Sequence, residues 1–382
     1  MSTPRLPANP RILCVKLADI GDVLLCTPAL RALRVRYPGA QIDLLTPPLS
    51  AHVLQNAPEI NNVIVFNKFP FDTLGSLFDL KTVFGAIQFL RGLGRGRYDA
   101  ILLFHHYTLR FGALKFAAVA LASRAPIRAG VDNGRGWFLT HKVADRGFGA
   151  EHEAEYWLDV AAQIGTAPRP ADRRIHIPLA EADHAAADAL LAELSLPGAG
   201  PLIAIHPGAG WYSTARRWPA AHFATLIATL VRERDADILL LGGPDEQDLA
   251  AEVRESVPTD ERVRVHNIAG RTSITGTAAL LQRCALFIGN DSGPMHLATA
   301  ARIPVLGIFG LSNWRAFGPY VPPAPGVPDQ PARIVRQDLP CQPCLYRGLQ
   351  LGLRDGCGPR PCLTALAPAS VAEAALALLD AR

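Results

Sequence analysis

The sequence predicts two α/β domains, each built as a doubly wound parallel sheet. Three observations predict it. Short apolar runs rich in β-branched residues alternate with helical stretches through the first half. A Pro-rich, charged stretch, GTAPRPADRRIHIP (165–178), interrupts the pattern and reads as a linker. The same alternation then restarts. The length, 382 residues with 49% hydrophobic and 19% charged, suits two or three domains with a large core that needs no staples.

Taken in order, ILCVKL (12–17) is a strand, residues 18–22 a small-residue turn, and VLLCTPALRALRVRYP a helix. Leu24, Leu25, Ala29, Leu30 and Leu33 give that helix its apolar spacing, and Pro38 stops it. QIDLLT (41–46), NNVIVFN (61–67) and DAILLFH (99–105) are further strands. After the linker, LIAIHPGAG (202–210), DILLLGG (237–243), ALFIGNDSG (285–293) and IPVLGIFG (303–310) are strands that each run into a Gly-containing turn. Residues 220–232 and 370–380 are helical. No repeat of fixed period and no low-complexity tract interrupts this order.

Lys plus Arg number 38 against 34 Asp plus Glu, a net charge of +4, so a nucleic-acid partner is not expected. No apolar run approaches the roughly 18–20 residues that span a bilayer. Pro4, Pro7 and Pro10 spoil any secretory signal, and a cytoplasmic protein is expected. Cys14, Cys26 and Cys284 stand singly in apolar surroundings and are expected as small core residues.

Ligands of doubly wound sheets bind beyond the carboxyl ends of the strands, so the turns there carry the candidates. Asp22 lies just after the first strand, where it either complements a positive helix end or serves as a general base; Asp19 is a weaker candidate of the same kind. His206-Pro207-Gly208-Ala209-Gly210, followed by Ser213, Thr214 and Arg216, joins a Gly-rich turn to hydroxyls and a guanidinium, a combination suited to a diphosphate. Asp291, Ser292, Gly293 and His296 open a helix after another strand, a second anion-ready turn or a simply capped helix. Asp245 and Glu246 offer carboxylates for a ribose, or are solvated helix-start acids. No Walker loop, GxGxxG fingerprint, HExxH pair or GxSxG elbow is present.

Together these segments resemble glycosyltransferase family 9, the ADP-heptose:lipopolysaccharide heptosyltransferases. The resemblance rests on KLADIGDVLLCTPALRALRVRYPGAQIDLLT, HPGAGW…ARRWP, LLLGGPDE, FIGNDSGPMHLATAARIPVLGIFG and FGPY, in that order, and covers about residues 11–380. It implies a GT-B fold, two Rossmann-like domains facing an interdomain cleft. The domains fall at 1–170 for the acceptor and 171–367 for the nucleotide sugar, with helix 368–382 packing back on the first. It implies an inverting transfer of heptose from ADP-heptose to a lipopolysaccharide inner-core acceptor, with no cofactor required for catalysis. Asp22 would be the base. Arg216 would meet the donor diphosphate, with Gly208, Gly210, Ser213 and Thr214 beside it. Glu246 would hold the ribose, with Asp245 one residue away as the alternative. Asp291, Ser292, Gly293 and His296 would line the diphosphate and sugar; Ser292 stands where the family often has Thr. The alternatives are a GT-B enzyme with another nucleotide sugar, an epimerase of that fold, or a non-catalytic nucleotide-sugar-binding protein.

Two further features remain. Residues 69–124 carry seven Lys or Arg (Lys81, Arg91, Arg95, Arg97, Arg110, Lys115, Arg124) against Asp72, Asp79 and Asp99. Such a stretch is a solvated helix face or a surface for anionic lipid or an acidic glycolipid acceptor, and the family context favours peripheral contact with the inner membrane. Cys341, Cys344, Cys357 and Cys362 cluster in a Pro- and Gly-rich loop with spacing that suits a structural Zn or Fe, as in some related protein heptosyltransferases, or packs as reduced thiols. Neither the acceptor nor the oligomeric state is legible.

Overall fold

A computed structural model describes residues 4–67, 79–197, 199–210, 212–326 and 328–381, with the side chains of residues 80–82 left aside. The chain divides into two compact units, residues 1–147 with 153–174, and residues 148–152 with 175–382.

The first unit runs β1 (Arg11–Val15), α1 (Ile20–Leu24), α2 (Thr27–Arg36), β2 (Gln41–Thr46), α3 (Pro48–Leu54), β3 (Asn62–Val65) and α4 (Leu80–Arg95). It continues with β4 (Ala100–Leu103), α5 (Arg110–Ala122), β5 (Ile127–Asp132), β6 (His141–Ala144) and α6 (Glu153–Ala162). Its sheet is parallel throughout, in the order β3-β2-β1-β4-β5-β6. The helix expected after β1 is two helices. Pro28 has no N–H for the carbonyl of Leu24, and the Thr27 hydroxyl donates to that oxygen instead at 2.7 Å. The break leaves α1 short, with Asp22 in its first turn just beyond the end of β1.

The second unit runs α7 (Glu181–Leu194), β7 (Leu202–His206), α8 (Ala220–Arg234), β8 (Asp237–Leu240), α9 (Gln247–Ser256), α10 (Thr259–Arg262), β9 (Val265–Asn267) and α11 (Ile274–Leu281). Then follow β10 (Leu286–Asn290), α12 (Gly293–Ala300), β11 (Val305–Ile308), α13 (Trp314–Phe317), β12 (Ala332–Val335), the hairpin β13 (Leu345–Arg347) and β14 (Gln350–Gly352), α14 (Pro361–Thr364) and α15 (Pro368–Asp380). Its sheet is also parallel, ordered β12-β11-β10-β7-β8-β9. Counted from its own first strand this is the 3-2-1-4-5-6 order of the first sheet, the Rossmann order.

Both cores are what continuous apolar strands require. β4, β8, β10 and β11 are buried at every position, as expected of strands covered on both faces. The terminal helix contributes to the core of the second unit. Val371, Ala372, Ala375 and Leu378 of α15 enter the core of the second unit, where α15 lies against α8, β10 and β12. Small residues on one face let it sit close to the sheet, so the apolar stripe is satisfied locally.

Candidate active site

In each sheet the strand order reverses between two neighbours, β1 and β4 in the first and β7 and β10 in the second. Those reversal points are where doubly wound sheets open a crevice for ligands. The polar residues collect at these two places.

At the first, β1 ends and the chain leaves through Lys16 and Leu17 into the turn that opens α1. Asp22 lies in the first turn of α1, one-third exposed, with Oδ1 3.3 Å from Lys16 Nζ. Asp19 is the N-cap residue of that helix. Lys16 is 2% exposed and its ammonium sits 4.3 Å from the centre of the Trp157 ring. Burial would drive Lys16 towards its neutral form, but Asp22, Cys26 and Glu153 outweigh it and hold its pKa above the ordinary value. The ammonium therefore stays charged and fixes the carboxylate of Asp22.

Behind Trp157 lies a second buried charge cluster. His106, just past β4, has Nδ1 2.9 Å from Asp145 Oδ2 and Nε2 2.9 Å from Glu153 Oε1. Its ring is 5.5 Å from that of Trp157. Burial would lower the His106 pKa, but the two carboxylates outweigh it and raise it to about 9. The raised folded pKa fixes the sign of the linkage. The stability tied to this proton, on the order of 3 kcal/mol, is full below about pH 6.5 and is lost as pH rises through about 9. Thermal melts from pH 6 to 10 are expected to show this alkaline loss, and His106→Gln to flatten it; an unchanged profile in the variant would exclude His106 as the cause.

At the second reversal point, β7 ends in His206 and the turn 207–210. His206 Nε2 is 2.9 Å from Glu246 Oε2, and Nδ1 is 3.0 Å from Ser292 Oγ. Glu246 also accepts from the N–H groups of Gly243 and Gly210, at 3.2 and 3.4 Å. Burial would raise its pKa, but the His206 hydrogen bond and charge and those two N–H groups hold it at about 2. A Cβ at 208 would meet Glu246 Oε1 at 1.9 Å, so any residue but glycine would push that carboxylate off His206 and its two N–H partners. Gly210 has a φ of +65°, so the turn needs a glycine at that place too.

Arg216 ties this turn to the β10 turn. Its Nη1 donates to Asp291 O at 2.9 Å and to Asp291 Oδ2 at 3.2 Å, its Nη2 to Ala209 O at 2.7 Å, and its Nε to Ser213 O at 3.4 Å. Asn290, fully buried, shapes the same turn: its Nδ2 donates to Pro207 O and Gly208 O, and its Oδ1 accepts from Trp218 N. Ser292 is the N-cap residue of α12 but makes no capping bond; its hydroxyl donates to Asn290 O. Gly293 opens that helix and His296 is buried within its first turns.

The structure thus gathers Gly208, Gly210, Arg216, Glu246, Asp291, Ser292, Gly293 and His296 at one sheet edge. Ser213 is buried and its hydroxyl donates to Arg354 O, while Thr214 is exposed. Asp245 is exposed beside the buried Glu246. Lys16, His106, Asn290 and His206 are the organising residues that local patterns did not single out as site residues.

The four loop cysteines lie within electrostatic range of one another. Burial raises the Cys362 thiol, and the charges of Cys344, Cys357 and Cys341 raise it further, to about 11. Among the described residues, however, no three His, Cys, Asp or Glu side chains are placed to hold a metal ion. As placed, the thiols are not a ligand set. Nor is any described helix long and apolar enough to cross a membrane. Of the basic stretch, residues 69–78 and the Lys81 side chain lie outside the described residues; Arg91, Arg95 and Arg110 are exposed on α4 and α5.

A model of the family "Glycosyltransferase family 9 (heptosyltransferase)" matches residues 86–351. Lipooligosaccharide heptosyltransferase 2 of Haemophilus influenzae is 24% identical over 316 residues, covering 82% of this chain and 85% of that one. Two solved structures share the fold. The structure of Escherichia coli ADP-heptose lps heptosyltransferase II has a TM-score of 0.70 at 22% identity, covering 97% and 99% of the two chains. That of a family 9 glycosyl transferase from Veillonella parvula has a TM-score of 0.71 at 24% identity, covering 98% of each. With two Rossmann-ordered sheets, polar residues gathered at both reversal points and a family match across most of its length, the chain belongs to glycosyltransferase family 9, the heptosyltransferases.

Proposed function

We propose that this glycosyltransferase moves heptose from ADP-heptose to a lipopolysaccharide inner-core acceptor, with inversion and without a catalytic metal. One observation supports the reading: at the second sheet's reversal point Arg216 bridges the Gly-rich turn and the turn that opens α12, an arrangement suited to an anion. In the proposed step the bond from the anomeric carbon to the diphosphate oxygen breaks, and ADP leaves with the electron pair. The acceptor oxygen bonds the opposite face of that carbon, and its proton passes to Asp22. The growing charge on the diphosphate is met by backbone N–H groups and Arg216, which need no metal to do it.

In this reading residues 1–170 take the acceptor and 171–367 the nucleotide sugar. Ser292, Gly293 and His296 face the diphosphate and sugar. Glu246, already engaged by His206 and two N–H groups, acts as the post that sets the turn, and the exposed Asp245 is the better placed of the two for a ribose hydroxyl. The acceptor is an anionic glycolipid, and the enzyme works at the cytoplasmic face of the inner membrane in peripheral contact with it. The cysteine loop takes no part in the chemistry; elemental analysis of the purified protein assigns it as a structural Zn or Fe site or as packed thiols.

Calorimetry with ADP-heptose, ADP-glucose and UDP-glucose, followed by mass analysis of the products, tests the proposal. ADP-heptose is expected to bind most tightly and to yield a glycosylated acceptor. Tighter binding of another donor would reject ADP-heptose as the substrate. Epimerised donor, or binding without turnover, would reject the transferase step proposed for Asp22.

A further inference from the structure

The first unit carries an apolar cavity of about 240 Å³ that the sugar chemistry does not use. It lies between α4 and α5 and reaches the carboxyl edge of the sheet at Leu17 and His106. Phe66, Phe89, Leu90, Phe116 and Val119 form its walls, with Phe66 and Phe89 stacked at 4.3 Å. Lys115 is among the few polar groups that line it.

The helices around it have the wrong surface for water. Phe84 and Ile87 on α4 are 59% and 41% exposed, and Leu114 and Leu121 on α5 are 56% and 48% exposed. Leu109, which leads into α5, is 60% exposed. The charged side chains described on these helices are cationic: Arg91 and Arg95 on α4, Arg110 and Lys115 on α5. Neither helix contains an Asp or Glu. An exposed apolar stripe flanked by one sign of charge fits the interface of an anionic bilayer, where the apolar side chains enter the acyl boundary and the guanidinium groups meet lipid phosphates.

From this we infer that α4 and α5 form the membrane-docking face of the enzyme, and that the cavity between them takes an acyl chain of an anionic phospholipid. This rests on the peripheral reading given above and names the surface and the lipid class. The docked face shares a unit and a sheet edge with Asp22, so a lipid-borne acceptor would be held on the side where its proton is taken.

Flotation of the full chain with vesicles of phosphatidylglycerol and phosphatidylcholine, against pure phosphatidylcholine, tests the inference. Binding is expected to the anionic vesicles and to weaken with salt. Arg91→Gln with Arg95→Gln is expected to reduce it about 25-fold, at about fivefold per cation removed. Gly112→Leu probes the cavity itself. A Cβ at Gly112 meets nothing closer than Leu109 Cβ at 3.9 Å, so the side chain has room to enter, and replacing a glycine inside a helix favours folding. That variant is expected to lose at least about tenfold in vesicle binding, each buried methylene of the displaced chain being worth about a fourfold change. Leu114→Gln with Leu121→Gln, two exposed positions, checks the result without touching the core. Equal binding to both vesicle types, or unchanged binding of the Gly112 variant, would overturn the inference. Transfer to a delipidated acceptor should survive in all these variants; vesicle binding without any transfer would reject the functional proposal and leave this one standing.

Discussion

Asp22→Asn is expected to lower heptose transfer by about 10² to 10⁴, the usual contribution of a positioned base, while ADP-heptose affinity changes by less than about twofold. The substitution is nearly isosteric, so the short helix and the turn before it should persist. What is lost is the ability to accept a proton. Lys16 makes the test sharper. Its buried ammonium, 3.3 Å from Asp22 Oδ1 and seated on Trp157, sets the direction of the carboxylate. Lys16→Met removes that guide but leaves the base, and is expected to cost less than Asp22→Asn. Glu153 keeps His106 Nε2 at 2.9 Å as its partner, and a thermal melt of each variant reports what the loss of the buried ammonium costs in stability. If Asp22→Asn turns over at the wild-type rate, the base is elsewhere. If Lys16→Met and Asp22→Asn fall equally and the chain melts earlier in both, the pair is a structural ion pair and not a catalytic unit.

The contrast between these residues also explains what the sequence could reveal. The strand at 41–46 was legible to the residue because Ile42, Leu44 and Leu45 sit in a short segment bounded by Gly39 and Pro47, too short for a helix. Asp22 and the turns at 208–210 and 291–293 were legible because doubly wound sheets put ligands where strands end, and small residues mark those ends. The cluster at His106 was not. Its members come from the ends of β4 and β6 and the start of α6, and no local spacing links them. Glu153 follows His152, but no second His completes HExxH, so local pattern gave it no role. Lys16 was hidden because a lysine closing ILCVKL looks like the edge of a strand, whereas its ammonium is buried against an indole more than a hundred residues away. The break at Pro28 was not legible, because it depends on a carbonyl left without its N–H partner and taken up by the Thr27 hydroxyl. Asn290 and His206 were quoted within their segments, but their work is visible only when two turns are brought together.

Arg216→Met is expected to lower turnover by about 10² to 10³, the cost of removing one preorganised donor from a developing negative charge. A structural reading competes with this one, since Arg216 already spans Ala209, Ser213 and Asp291. A guanidinium has five N–H donors, and four are engaged here, so one remains for a diphosphate oxygen. Arg216→Lys separates the two roles. A lysine keeps the positive charge but cannot reach three carbonyls in a fixed fork. If the charge on the leaving group matters most, Lys should recover at least about tenfold of the turnover lost in Met, with the thermal midpoint equally lowered in both. If Arg216 only ties the two turns, Lys and Met should lose turnover alike, and donor affinity should fall with stability. The ratio of kcat to KM effects then reads directly whether the guanidinium acts on the transition state or on the shape of the cradle.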